Sequence, residues 1–213
     1  MKSKLIVIVF LCIGTYVLPQ SKKFLLQGSY DYVLYPFLNY ENHHNINSYK
    51  LGGTATYYFT NRISFASGFH YEVANYKVKY PLNNSPALRL TSEKVTLAYV
   101  GVPILLEIKT LYTTFHLLSI QTGFELESLV SKEIVLSYND GSTRDGSNDT
   151  YVHNFINCLS LGVAYRYIFL NHYFAGACPK VRYNLTSHGI STGESTSLSF
   201  LFQLSLGYLF DFD

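Results

Sequence analysis

Apolar and polar residues alternate with a period of two through most of this chain. The pattern is clearest over residues 196–212, where one alternate set is apolar and the other is mainly Ser, Gln, Gly and Asp. Leu201 and Leu209 are the only large apolar residues on the polar face. Successive side chains of a β-strand point to opposite faces, so this period predicts a strand. Its length exceeds that of most strands in soluble domains.

Seven further segments show the same alternation. The eight predicted strands are residues 24–35, 48–59, 63–78, 95–109, 114–130, 151–169, 173–185 and 196–212. The connections between them alternate between long polar segments and short turns, which is typical of bacterial outer-membrane barrels. The pattern therefore predicts an all-β fold, an eight-stranded antiparallel up-and-down transmembrane β-barrel. We expect the long loops to be extracellular and both mature termini to be periplasmic.

Composition favours the same class of protein. Charged residues make up 14% of the chain and aromatic residues 16%, with 20 Tyr, 15 Phe and no Trp. Rings of aromatic residues at two membrane interfaces would account for this content. The net charge is only +2, and no basic stripe with interleaved stacking residues occurs, so we expect no nucleic-acid partner. An eight-stranded barrel is filled by its own side chains, which argues against an open aqueous pore.

Residues 1–20 have the pattern of a signal peptide, with a cleavage site that the sequence fixes only to about residues 16–22. Lys2 and Lys4 precede an apolar run that is too short to span a bilayer as a helix. Leu11 stands before Cys12 where a lipoprotein signal usually has a small residue, so lipidation of Cys12 is the less favoured alternative. Residues 21–213 then form the barrel domain. No long apolar run follows, so strands must do any membrane crossing.

Charged side chains occupy the predicted inward faces of several strands. The acidic wall carries Asp31, Glu72, Glu107, Glu125 and Glu127 together with His70, and the basic wall carries Lys50, Arg166, Lys180 and Arg182. One interpretation is a lumenal acid/base site, with His70 as general base and Glu72 as its partner. The other is a plug in which opposite charges compensate one another across the lumen, because an unpaired buried charge costs about 3–5 kcal/mol. The separation of acids and bases onto different walls favours the plug.

Two inward cysteines raise the question of a disulfide in an oxidising compartment. A three-residue turn at 170–172 places Phe169 opposite Tyr173, so Cys178 faces Ala164, six residues from Cys158. Six residues span about 20 Å, whereas bridged Cα atoms lie within about 7 Å. The sequence predicts two free, buried thiols.

Metal and cofactor signals are weak. His43 and His44 are adjacent in a polar loop, and residues 139–149 are rich in Asp, Asn and Gly. Neither segment has the regular ligand spacing of a calcium loop or a zinc site. No phosphate loop or nucleophile elbow occurs. We therefore expect no metal and no cofactor.

The final strand also resembles the C-terminal β-signal of outer-membrane barrels. That signal has a polar residue, then a glycine, and then two aromatic residues at alternate positions; here these are Ser205, Gly207, Phe210 and Phe212. The resemblance implies that the barrel assembly machinery of the outer membrane is a partner.

A second resemblance lies in the fourth predicted strand. Residues 99–109, Tyr-Val-Gly-Val-Pro-Ile-Leu-Leu-Glu-Ile-Lys, resemble a segment of the PorT-like outer-membrane barrels common in Bacteroidetes. That family has an inward glutamate where this chain has Gly101, and its role here would pass to another residue, such as Glu107. The resemblance implies location and fold, but no single activity.

These patterns favour a closed outer-membrane barrel, without catalysis, that acts through its extracellular loops. Adhesion, binding of a ligand or partner, and support of envelope assembly or secretion all remain open. The expected partners are outer-membrane lipid and an unidentified extracellular or envelope protein. One alternative is a lipid-modifying enzyme, which would need His43, His44 or His188 at the loop rim. Another is a soluble secreted barrel that binds an apolar ligand, but its faces would be the inverse of those predicted here.

Overall fold

The computed structural model describes residues 22–35, 43–45, 47–80, 88–148, 152–170, 172–186 and 198–212. The predicted signal peptide, Cys12 and His188 lie outside these residues. Within the described part of the chain, no helix is long and apolar enough to cross a membrane.

The described residues form ten strands. In chain order they are β1 Lys22–Leu34, β2 His43–Asn45, β3 Ser48–Tyr58, β4 Ile63–Lys79, β5 Leu90–Tyr112, β6 His116–Tyr138, β7 Thr143–Asp145, β8 Phe155–Phe169, β9 Tyr173–Asn184 and β10 Leu198–Phe212. Eight of them, all except the short β2 and β7, form the barrel wall. Each pairs antiparallel with its neighbours, and β1 pairs with both β3 and β10, which closes the sheet on itself. The predicted eight-stranded antiparallel barrel is confirmed.

Alternation along each strand separates the two faces of the wall. In β8, every second residue from Ile156 to Ile168 is buried, and the residues between them are exposed or nearly so. The exposed set is apolar and includes Leu159, Leu161, Val163 and Tyr165. The wall is thus apolar outside and polar inside, the inverse of a soluble carrier for an apolar ligand.

Aromatic rings cluster on the outer face at the short-turn end. Tyr208 packs edge-on against Tyr173 and Phe210, with ring centroids 5.0 and 4.6 Å apart. The ring of His116 stacks on the ring of Tyr165, and a hydrogen bond of 2.8 Å joins Nδ1 of His116 to the hydroxyl of Tyr165. Aromatic residues at this position match the girdle of outer-membrane barrels.

The prediction of loops at 80–94 and 131–150 was partly wrong. β5 already begins at Leu90, β6 continues to Tyr138, and β7 pairs with the end of β6. For β6 the reason is a β-bulge at Val130: Tyr99 is opposite Leu129, but Ala98 is opposite Ser131. The extra residue exchanges the inward and outward positions of β6, so the period of two breaks although the strand does not end.

The strand ends on the long-connection side form a small sheet beyond the wall, which we call the extension sheet. It consists of β2, residues 76–79 of β4, 92–95 of β5, 134–137 of β6, and β7, in that spatial order. Tyr76, Val78, Val95 and Ile134 are buried on its inner face. The extension sheet thus covers the mouth of the barrel at this end.

Candidate functional site

The lumen is filled by side chains in three layers. The turn-end cluster is apolar and contains Leu25, Tyr58, Ile168, Phe174 and Leu209. The loop-end cluster, at the other mouth, contains Val33, Tyr35, Ala74, Tyr76, Val78, Val95, Leu97, Tyr99, Ile134, Val152, Ile156, Cys158 and Leu201. Charged residues occupy the layer between them. All ten charged or histidine side chains predicted to face inward are buried.

One ion pair lies next to the turn-end cluster. The guanidinium of Arg166 donates to both carboxylate oxygens of Glu107, at 2.6 and 2.9 Å. Gln121 donates a further hydrogen bond of 2.7 Å to Glu107. The hydroxyl of Tyr58 donates a longer one, of 3.5 Å, to Oε1. The buried carboxylate is thus compensated by a cation and by neutral donors, as a buried charge requires.

A larger network fills the centre of the lumen. Arg182 on β9 donates to Glu72 on β4, at 2.7 Å from Nη2 to Oε1, and to Glu127 on β6 at 3.1 Å. Lys50 on β3 donates to Glu125 and lies 3.5 Å from Glu127. The hydroxyl of Tyr35 donates to Glu72. Cations from β3 and β9 therefore meet carboxylates from β4 and β6 across the barrel.

His70 belongs to the same network, but not as sequence reasoning paired it. Its Nε2 lies 2.9 Å from Oε1 of Glu127, while Glu72 is engaged by Arg182 and Tyr35. The dyad of His70 with Glu72, which the less favoured acid/base interpretation requires, is therefore not formed. The geometry fits mutual compensation of charge better than acid/base catalysis.

Gly101 makes room for this contact. It lies opposite His70 on one side and Glu127 on the other, and a Cβ built on it would lie 2.3 Å from His70 Nε2 and 2.8 Å from Glu127 Cγ. A glutamate at this position would collide with both side chains. Glu127, on the neighbouring strand, brings a carboxylate beside Gly101, whereas Glu107 is held by Arg166.

Asp31 and Lys180 stand apart from these pairs. Both are buried in the lumen, and Oδ1 of Asp31 has no hydrogen-bond partner among the described residues. Asp31 lies opposite Lys50 on β3 and Gln203 on β10. It is the one predicted site residue whose buried carboxylate oxygen is left without a donor in the described part of the lumen.

The ligand atoms of one group of buried side chains are close enough together to hold a metal ion. The ligand atoms of His70, Glu125 and Glu127 lie within 4.8 Å of one another. Sequence reasoning did not find this group, because β4 and β6 are separated by β5 in the sheet. Lys50 and Arg182 already form ion pairs with these two glutamates. The protein's own cations thus supply the positive charge that a metal ion would bring.

The two inward cysteines are free and buried, as predicted. Phe169 is opposite Tyr173 and Cys158 is opposite Asn184, so the register is the one expected from a three-residue turn. The thiol of Cys158 donates to Oδ1 of Asn184 at 3.2 Å. Both cysteines serve as small buried residues of the lumen.

The polar segment after β6 is held by short turns. Asp140 accepts hydrogen bonds from the amide and hydroxyl of Ser142, and Asp145 accepts one from the amide of Ser147. These bonds lower the pKa of both carboxyl groups. Each carboxylate caps its own turn. His43 and His44 lie in β2, opposite Val78 and Lys77.

The sequence matches a known family over most of the barrel. Residues 37–177 match the family described as outer membrane protein beta-barrel domain. No curated protein matches the sequence.

Solved structures of outer-membrane proteins share the fold at low sequence identity. OprG from Pseudomonas aeruginosa aligns with a TM-score of 0.54 and 10% identity, over 90% of this chain and 97% of that one. Ail from Yersinia pestis aligns at 0.46 and 10%, over 91% and 100%. The Neisserial surface protein NspA aligns at 0.43 and 12%, over 89% and 97%. The likeness to OprG supports the fold alone.

Proposed function

The chain belongs to the outer membrane protein β-barrel domain family, and from this premise we propose that it is a closed membrane anchor whose extension sheet and long connections bind a partner outside the cell. Adhesion, capture of a ligand, and support of an envelope or secretion assembly are all forms of such binding. The proposal assigns the protein no catalytic reaction.

The proposal rests on the contrast between the filled interior of the barrel and the exposed surface at its long-connection end. Among the described residues, ion pairs and two apolar clusters occupy the interior and leave no aqueous path or apolar ligand site there. The long-connection end instead extends the wall into an additional sheet with a solvent-facing surface. Binding chemistry that is specific to this protein is therefore expected on that sheet.

The orientation is part of the proposal. Long connections of bacterial barrels are extracellular and short turns are periplasmic. The connections after β1, β4, β6 and β9 are the long ones, and those after β3, β5 and β8 are short. We therefore propose that the extension sheet lies outside the cell and that both mature termini lie in the periplasm.

Two finer assignments belong to the same proposal. We infer that the chain is PorT-like within its family, on the resemblance of residues 99–109, with Glu127 supplying the carboxylate next to Gly101. We infer as well that Ser205, Gly207, Phe210 and Phe212 are read by the barrel assembly machinery. Phe210 supports this, since its ring packs on Tyr208 and Phe24 at the turn-end rim.

Site-specific photo-crosslinking in the native outer membrane tests the proposal. A crosslinking residue at Val135 or Ser137 of the extension sheet should yield adducts with a distinct macromolecule. The same residue at Ile104, on the lipid-facing wall, is the matched control and should yield none. In a planar bilayer the purified protein should show no conductance. Stable open-channel currents together with an absence of adducts from the extension sheet would refute the proposal.

A further inference from the structure

Three lysines lie together on the outer face of the extension sheet. Lys77 on β4 and Lys94 on β5 are directly opposite one another, and Lys79 follows in the next outward position, opposite Ser92. Lys79 and Lys94 are exposed and Lys77 is half-buried. We call these three residues the lysine patch.

The arrangement of the patch opposes folding. Directly opposed residues of an antiparallel pair have Cβ atoms about 4.5–5.5 Å apart, and like charges at such positions destabilise the sheet. Two acids share this face: Glu133 is opposite Thr96, diagonal to Lys94, and Asp145 lies one strand further, opposite Val135. Neither forms an ion pair with the patch in the described structure, and Asp145 caps the turn at Ser147.

The patch continues the lipid-facing surface of the wall. Tyr71 and Val100 are opposite one another on the same two strands, face outward and are exposed. Lys77 and Lys94 come six residues further along, about 20 Å by the rise of a strand. Val73 and Ala98 form the next outward pair and are buried. Strands of such barrels are inclined by about 35–45°, so Lys77 and Lys94 lie about 15 Å above the level of Tyr71 and Val100. Asn75 and Thr96, joined by a hydrogen bond of 2.8 Å, form the outward pair directly below the lysines.

Other cations of the described strands occupy different places. Lys50, Arg166, Lys180 and Arg182 are buried in the lumen, and Lys109 lies at the short-turn end over the ring of Tyr58. Lys132 and Arg144 are at the long-connection end, but they lie opposite the inward residues Leu97 and Leu136, on the other face of the sheet. The lysine patch is therefore a local feature of one sector of the rim, where the β4–β5 wall leaves the hydrocarbon layer.

We propose that the lysine patch binds the phosphate groups of the phosphorylated glycolipid that forms the outer leaflet. A phosphate between Lys77 and Lys94 would supply the negative charge that no described acidic side chain supplies to the patch. Lysine binds phosphate as a point charge. The acyl chains of the same molecule would lie against Tyr71 and Val100. This inference rests on the proposed orientation, which puts the long-connection end in the outer leaflet.

Binding of purified lipid A to the full-length protein in detergent micelles tests the inference. The probes are bis-phosphorylated lipid A, the same lipid after enzymatic dephosphorylation, inorganic phosphate, and a soluble sulfated saccharide. The variants are Lys77→Gln/Lys94→Gln, Lys77→Arg/Lys94→Arg, and the charge-matched control Arg62→Gln/Arg144→Gln. Adducts retained in native mass spectrometry give the apparent dissociation constants.

The phosphorylated lipid should bind the wild type, and the Lys77→Gln/Lys94→Gln variant should bind it about 25-fold more weakly. That value assumes about fivefold for each lysine near an anionic headgroup. The arginine variant and the control should bind as the wild type does. The double glutamine variant should also unfold at an equal or higher urea concentration, because a like-charge pair has been removed.

Three results would overturn the inference. They are equal affinity for the phosphorylated and dephosphorylated lipids, equal loss in the Arg62→Gln/Arg144→Gln control, and binding of inorganic phosphate or the sulfated saccharide as tight as that of the lipid. The last would assign the patch to a soluble anion. Because the assay does not depend on orientation, its failure leaves the crosslinking test of extracellular binding intact.

Discussion

Gly101 and Glu127 lie directly opposite one another on β5 and β6, and the side chain of Glu127 passes over the space that a Cβ on Gly101 would fill. His70 reaches the same space from β4. The absence of a side chain at one position therefore allows the hydrogen bond between two others.

Replacing this glycine should disturb the centre of the lumen. Gly101→Ala is expected to destabilise the barrel by about 1–3 kcal/mol, because the new methyl group overlaps His70 and Glu127 in a packed interior. Gly28→Ala is the matched control, since a Cβ there would have nothing within 4 Å. The control should be neutral or slightly stabilising. Urea unfolding in detergent micelles measures both, and equal effects would contradict the role assigned to Gly101.

The ion pair of Arg166 with Glu107 allows a test of whether these two buried charges serve mainly to neutralise each other. Arg166→Met leaves a buried carboxylate without its cation and should cost about 3–5 kcal/mol. Arg166→Met combined with Glu107→Gln removes both charges and keeps the hydrogen-bond acceptor for Gln121, so most of the loss should be recovered. A double-mutant cycle in urea measures the coupling. If the losses in the free energy of unfolding from the two single substitutions simply add in the double variant, this part of the lumen is hydrated.

The buried thiols make cysteine labelling a clean measure of topology. Cys158 and Cys178 are buried, so the wild type should not react with a membrane-impermeant maleimide. Arg144→Cys, in the exposed strand β7, should be labelled on intact cells. Arg62→Cys, in the short turn between β3 and β4, should be labelled only after the outer membrane is permeabilised. The reverse pattern would invert the proposed orientation.

The two ends of β10 allow a controlled test of the assembly signal. Phe210 and Phe200 are both on the apolar face of this strand, at the turn-end and loop-end rims respectively. If the assembly machinery reads Phe210, Phe210→Ala should lower the amount of folded barrel in the outer membrane several-fold, while refolding in detergent stays normal. Phe200→Ala removes a similar area and should leave assembly unchanged. Heat-modifiability of the membrane fraction on gels reports the folded amount, and equal yields would contradict a signal at Phe210.

The architecture was predictable because one physical rule acts along every barrel strand. An apolar environment outside and a polar lumen inside impose a period of two, which β8 and β10 display over most of their length. Short turns fix the register in the same way, and the pairing of Phe169 with Tyr173 follows from turn length alone. The strand count, the topology and the unbridged cysteines all follow from this rule.

The arrangement within the lumen was less accessible to sequence reasoning. Which acid meets which base depends on the register of neighbouring strands, and the acid/base interpretation therefore set His70 beside Glu72 on its own strand instead of Glu127 two strands away. The apolar clusters at the two mouths had a visible signal, since Leu201 and Leu209 interrupt the polar face of β10. The extension sheet was concealed by the bulge at Val130, because a single inserted residue makes a continuous strand look like the start of a loop.

The partners within the lumen also come from distant parts of the chain. Arg182 and Glu72 are separated by 110 positions, Lys50 and Glu125 by 75, and Arg166 and Glu107 by 59. Glu72 and Glu107 thus lack their arginine partners until β9 and β8 arrive, and Lys50 reaches Glu125 only when β6 is in place. A partly assembled barrel would expose unpaired charged side chains to the hydrocarbon layer of the membrane, which cannot solvate them. Neutralisation therefore comes late and nearly all at once, which makes insertion of this barrel a concerted event with few tolerable intermediates.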